Sequence, residues 1–311
     1  MNRPKAMSAS TLRSASLAGI GFMLLGVFLF SVNDVMGKWL VATYSVGQLL
    51  LIRSIAALAV LFPLMRKQKV PLAVPSRPGL HGLRIVFSTV EVACFYWAVT
   101  YLPLADVMTY YLAAPIYVAA LGVFWLGEKL DWPRIAAIGA GFIGVLITLR
   151  PSEATLTLPA LVALAGSLSY SMLMITTRQL RDTHDATLVL GQILGALIFG
   201  AVTAPFAWVM PSFLELAVLF LLGIVSMAGH ACTNRSLKIA PASIVAPYQY
   251  TLIVWAIVLG YLAFGDIVGF WTLVGASVIC ASGLVLMVLE HRAARRARPA
   301  SDIEAPILPE A

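Results

Sequence analysis

The sequence predicts an all-α membrane protein: ten transmembrane helices built as two inverted five-helix repeats, with the N- and C-termini cytoplasmic. Three observations carry this. Hydrophobic residues make up 60% of the 311 and charged residues only 11%, against the ~25% charge of a typical soluble domain. The apolar runs are continuous and reach about 20 residues, the length at which a helix crosses a bilayer, without the alternation of a barrel strand. Finally, the basic residues between the runs fall almost wholly on one side.

The runs place spans at 17–39, 46–65, 80–101, 104–126, 133–150, 157–177, 186–208, 213–235, 242–263 and 269–289. Residues 1–16 are polar and basic and read as a cytoplasmic N-terminal segment. The run that follows is too long for the apolar core of a signal peptide and has no clear cleavage site, so it stays as span 1. The breaks between runs are marked by charge and proline: Pro71, Pro75 and Pro78 between Arg66 and Arg84, then Glu128 to Pro133, then Arg150 and Pro151. The stretch 290–311 is basic, then Pro-rich and acidic, and reads as a disordered cytoplasmic tail. With the N-terminus inside, 18 of the 21 Lys and Arg lie on the cytoplasmic side, Arg150 lies outside, and Lys38 and Arg53 lie within spans. That asymmetry obeys the positive-inside rule.

Net charge is +7, but its position beside apolar runs is the footprint of topology and anionic lipid, not of nucleic acid. Cys94, Cys232 and Cys280 all lie within apolar runs, where they read as small core residues and not a disulfide framework.

The second half repeats the first. Shifted by 138 residues, Leu83 falls on Leu221, Ser88 on Ser226, Cys94 on Cys232, Pro103 on Pro241, Tyr110 on Tyr248 and Gly127 on Gly265. Upstream the register is 140, with Gly26 on Gly166, Ser31 on Ser171 and Lys38 on Arg178. The two units, 17–150 and 157–289, hold five spans each. An odd number turns the second unit upside down, the arrangement of many secondary transporters.

The motifs of these units are Pro103–Leu104–Ala105 at the start of span 4, Pro115 within it, Leu126–Gly127–Glu128 at its end, and Gly144–Val145–Leu146–Ile147 closing span 5. In them the chain resembles the drug/metabolite transporter superfamily with two EamA-type repeats. The second copy keeps Pro241, Gly265 and Gly275 but carries Ile253 in place of Pro115 and Asp266 in place of Glu128. Asn33–Asp34–x3–Lys38 and the aromatic spans 3 and 4 are also similar to bacterial riboflavin and S-adenosylmethionine carriers. The expected mechanism is alternating access around a central cavity lined by spans 1–4 and 6–9; the resemblance implies that spans 5 and 10 lie peripherally, which their lack of charge supports.

Ionisable residues inside a span are costly and usually functional. Asp34 and Lys38 lie one turn apart on the face of span 1 that carries Ser31; Arg53 lies in span 2 and Glu91 near the middle of span 3. Two acids and two bases permit full pairing. Glu91 is the expected proton-coupling group, with a structural ion pair to Arg53 as the alternative. Asp34 and Lys38 could equally pair within their own helix. His230 holds nearly the matching midplane position in span 8, with Asn234 a turn on; it is either a coupling group or a packed polar residue. Tyr110 and Tyr111 in span 4, and Tyr248 and Gln249 in span 9, read as two turns deep. Aromatic walls with a few hydrogen-bonding heads suit a flat heterocycle, or else plain packing. With Asn33 from the Asn33–Asp34 motif, these make the candidate substrate or coupling set.

Gly139, Gly141 and Gly144 match G-x-G-x-x-G, but inside span 5 they lack the strand and helix that a dinucleotide site requires; close helix packing is the better reading. The chain has no G-x-S-x-G, H-E-x-x-H or Walker A motif, and His81, His184, His230 and His291 are scattered. No enzyme, cofactor or metal site is expected. The expected partners are the bilayer and a small-molecule substrate, with proton coupling and a homodimer left open. The expectation is therefore a multi-pass carrier of a bacterial inner membrane, with riboflavin uptake first and amino acids, S-adenosylmethionine or a drug as alternatives.

Overall fold

The computed structural model describes residues 9–70, 77–114, 116–118, 120–121, 132–149, 157–180, 183–239 and 246–296. The described helices are α1 (Ala9–Val41), α2 (Val46–Lys67), α3 (Pro78–Tyr101), α4 (Leu104–Leu112), α5 (Trp132–Leu149), α6 (Leu158–Gln179), α7 (Asp185–Thr203), α8 (Phe213–Ile239), α9 (Thr251–Phe264) and α10 (Phe270–Arg296). Their limits follow local chemistry. Ser45 and His184 accept from the backbone N–H of Gln48 and Ala186 and so cap α2 and α7. Pro78 sits in the first turn of α3, where its missing N–H costs nothing. Gly265 ends α9 in the left-handed conformation, φ 68°.

Among the described residues, seven helices are long and apolar enough to cross a membrane, and Leu104–Val118, Ile135–Thr148 and Tyr248–Phe264 form shorter apolar helices. Large apolar side chains face outward, among them Ile198, Val202 and Leu262, as a lipid-facing surface requires.

The helices pair across the two units: α2 with α7, α4 with α9, α5 with α10, α1 with α8, and α3 with α6. Moving each helix five places along maps the first three pairs onto themselves and exchanges the last two, which is the pairing a two-fold axis produces. The α5–α10 contact shows the symmetry residue by residue. A Cβ on Gly141 would meet Ser282, and one on Gly144 would meet Ile279 and the carbonyl of Gly275. In the 138 register Gly141 corresponds to Ile279 and Gly144 to Ser282, so the two contacts exchange. These glycines serve the close packing read from the sequence.

Several boundaries differ from expectation. α1 starts at Ala9 within the segment read as 1–16, and α10 runs to Arg296, into the stretch read as a disordered tail. Glu290, Arg292, Ala293, Ala294 and Arg295 are good helix formers, and no proline intervenes before Pro299. Span 9 was expected from 242, but residues Ala246–Tyr250 form a 3-10 turn and the α-helix starts at Thr251. Pro247 lacks the N–H that an established helix needs. Gly127, Glu128 and Pro115 lie outside the described residues.

Candidate functional site

Arg53 is the hub. Gly223 carries no side chain, so α8 lies directly against the backbone carbonyl of Arg53. At that level Arg53 Nη2 donates to Ser226 Oγ at 2.8 Å and Nη1 to Tyr96 Oη at 2.9 Å. Tyr96 Oη donates in turn to Asn33 Oδ1 at 3.0 Å, and Asn33 Nδ2 donates to the Leu222 carbonyl at 2.9 Å. The circuit closes over α1, α2, α3 and α8 and so ties the two units together. Gly37 makes room for the Tyr96 ring against α1. A hydrogen-bond network of this kind holds its members in one arrangement.

The half-buried carboxylates of Asp34 and Glu91 lie within electrostatic reach of Arg53 and of one another. Among the described residues Arg53 and Glu91 do not form a direct ion pair. Tyr111 Oη donates to the backbone carbonyl of Glu91 at 3.1 Å. Its ring stands edge-on to Phe95 at 5.4 Å and tilted against Tyr170 at 6.1 Å, while Phe95 meets Tyr96 at 5.3 Å. An aromatic wall therefore runs beside the charged cluster.

Arg53 also lines a cavity between α2, α3, α7 and α8. Arg53, Ser226, Gln192 and His230 supply its polar lining, and Ala57, Val92, Ile193 and Met227 much of its apolar wall. His230 also packs edge-on to Phe30 at 4.8 Å. The Asn234 side chain lies outside the described residues.

Four expected members are elsewhere. Lys38 does not pair with Asp34 but with Asp266, at 2.5 Å, and lies 4.7 Å from the centre of the Phe264 ring. Asp266 also accepts from the Leu104 N–H at 3.4 Å. The cause is the left-handed Gly265, which turns the chain out of α9 so that the next residue reaches the end of α1. Tyr110, on α4, is buried in the main core, whereas Tyr248 packs from the 3-10 turn against the cluster of Met23 and Val27. These repeat mates share no pocket, and Gln249 lies in the same turn as Tyr248.

Two residues were missed. Tyr170 completes the aromatic wall; in the 140 register it matches Phe30, an aromatic-on-aromatic coincidence that marks both. Arg84 counted as a cytoplasmic-side charge but is buried in the structure, donating from Nε to Thr177 Oγ1 at 2.8 Å and from Nη1 to the Leu188 carbonyl at 2.9 Å. It joins α3, α6 and α7.

The model of the EamA-like transporter family matches residues 17–150 and again 157–289. The S-adenosylmethionine uptake transporter of Rickettsia conorii is 27% identical over 282 residues, covering 90% of this chain and 96% of its own. The pseudopaline exporter CntI of Pseudomonas aeruginosa is 26% identical over 278 residues, covering 87% of this chain and 94% of its own. A solved crystal structure superposes with a TM-score of 0.61 at 19% identity, covering 90% of this chain and 99% of that one. That likeness extends to the fold alone.

Proposed function

The chain belongs to the EamA-like transporter family, and from that premise we propose that it is a ten-span, secondary-active carrier of the bacterial inner membrane. It takes up S-adenosylmethionine, or a similar amino-acid metabolite of net positive charge, by alternating access. The observation that carries this reading is the cluster of Asp34, Glu91 and Arg53 beside an aromatic wall. With both carboxyl groups deprotonated, two carboxylates and one guanidinium give the site one net negative charge. S-adenosylmethionine carries a carboxylate, an ammonium and a sulfonium, one net positive charge, together with a flat purine that can stack on tyrosine.

Charge complementarity replaces the riboflavin expectation. A neutral isoalloxazine and its sugar chain could stack on Tyr111 and Tyr170, but would leave one carboxylate uncompensated as water is expelled, at a cost of several kcal/mol. The named S-adenosylmethionine relatives favour the same alternative.

Alternating access needs one closed end and a mobile middle. The Lys38 end, outer by the positive-inside rule, is held by the Lys38–Asp266 pair and by Gln48, whose amide brackets the Val209 backbone at 2.6 and 3.0 Å. Glu91 would exchange a proton as the site changes sides. The test is uptake of labelled S-adenosylmethionine by bacterial cells with and without the gene, with counterflow from preloaded vesicles. Saturable, gene-dependent uptake is expected. Well-expressed carrier with neither uptake nor counterflow overturns the substrate. Efflux without uptake overturns only the direction, as the exporter relative would favour.

A further inference from the structure

We infer that the cavity between α2, α3, α7 and α8 is a carboxylate subsite, in which Arg53 takes the α-carboxylate of an amino-acid substrate. This rests on the carrier reading above and narrows it to substrates that keep a free carboxylate.

The first ground is the asymmetry of charge around Arg53. Asp34 and Glu91 interact with it electrostatically, yet neither lines this cavity. The polar groups that do are Arg53, Ser54, Ser226, Gln192 and His230, with no carboxylate among the lining residues. The cavity therefore presents a cation surrounded by neutral hydrogen-bonding groups, the lining an anion needs.

The second ground is donor geometry. A guanidinium has five N–H groups in a planar fork. Nη1 and Nη2 each spend one on a neutral hydroxyl, Tyr96 and Ser226. These bonds fix the plane of the fork and leave N–H donors for a carboxylate, whose two oxygens match such a fork. Ser226 accepts from Arg53 through its oxygen, so its own proton is available to a second acceptor.

The third ground is the apolar wall. Ala57, Val92, Ile193, Ala196 and Met227 border the charged end. Such walls suit the methylene chain that follows an α-carbon and would repel a compact, strongly hydrated anion such as phosphate. Asp34 and Glu91, which interact with Arg53 without lining the cavity, would then meet the cationic parts of the same ligand.

The test is equilibrium binding to the purified full-length carrier, read as the concentration of each ligand that gives half-maximal thermal protection. Ligands are compared in pairs that differ by the carboxylate: S-adenosylmethionine with decarboxylated S-adenosylmethionine, lysine with cadaverine, and methionine with methioninamide. For any pair that binds, loss of the carboxylate should weaken binding roughly tenfold to hundredfold, the worth of a charge-assisted bidentate contact. In Arg53→Gln the two members of a pair should bind alike, and Arg53→Lys should keep part of the preference. Should those variants fail to fold, the wild-type pairs decide alone, with Ser226→Ala expected to shrink the preference. Equal binding of S-adenosylmethionine and its decarboxylated form overturns the subsite and leaves the carrier reading intact. A carboxylate preference seen only with lysine or methionine supports the subsite and overturns S-adenosylmethionine as substrate. Failure of every ligand to protect a folded carrier overturns both.

Discussion

Asp266→Asn should open the Lys38 end. The Lys38 and Asp266 side chains are 14% and 21% exposed, so solvent screens their contact only in part. A hydrogen bond between charged groups is worth about 1.5–3 kcal/mol, and a neutral one about 0.5–1.5 kcal/mol. Asparagine keeps the shape and a carbonyl acceptor but loses the charge, so the closed state should lose about 1–2 kcal/mol. At ~1.4 kcal/mol per factor of ten, the fraction open at this end rises roughly fivefold to thirtyfold. Cys94 reports it, because it lies one turn from Glu91 and is only half-buried. With Cys232 and Cys280 replaced by Ser, the rate at which an impermeant maleimide added outside cells labels Cys94 should rise by that factor. Lys38→Met should act alike, and Lys38→Met with Asp266→Leu should add little to either, as for partners in one contact. Unchanged labelling in both single variants, or strictly additive effects, would show that the pair is an ornament of the loop and not a closure.

Further outcomes follow from other contacts. Glu91→Gln, of near-identical shape, should cut S-adenosylmethionine uptake at least about tenfold at equal membrane expression, and the residual uptake should no longer respond to a protonophore. Gly144→Ala should lower stability by about 1–3 kcal/mol, read by thermal unfolding in detergent, because its Cβ would meet Ile279 and the Gly275 carbonyl. Gly139→Ala should instead be neutral or stabilising by up to ~1 kcal/mol, because nothing lies within 4 Å of its Cβ. Arg84→Met should cost about 2 kcal/mol by removing the charged donor's bonds to Thr177 Oγ1 and the Leu188 carbonyl; an unchanged melting curve would return Arg84 to the role of a topogenic charge.

The helical class and the doubled unit were legible because each depends on composition or spacing alone. A bilayer admits few architectures, and an arginine in an apolar run must be compensated. What stayed hidden depends on partners far along the chain. Lys38 had a carboxylate one turn away, and its choice of Asp266, 228 residues distant, follows from the turn at Gly265. Tyr110 and Tyr248 were paired by register, but the two-fold sets repeat mates on opposite elements and does not bring them together. Arg84 was misread because its position at the start of α3 satisfied a counting rule that says nothing about burial.

The symmetry that made the fold legible is broken at the site, and the break bears on movement. The register partners of Asn33 and Asp34 are Leu173 and Met174, and those of Arg53 and Glu91 are Gly191 and Gly229. The first unit supplies the charges of this cluster, and the second meets them with Ser226 and the Leu222 carbonyl. Bonds of Arg53 and Asn33 to such neutral groups contribute about 0.5–3 kcal/mol each and can be traded for water or substrate. A buried ion pair in the same place would resist separation by about 3–5 kcal/mol, because breaking it strands a charge. With the ionic groups kept within one unit, the two units can part at mid-depth at modest cost, while the strong ionic contact sits at the Lys38 end, where a conformational switch needs a discrete closure.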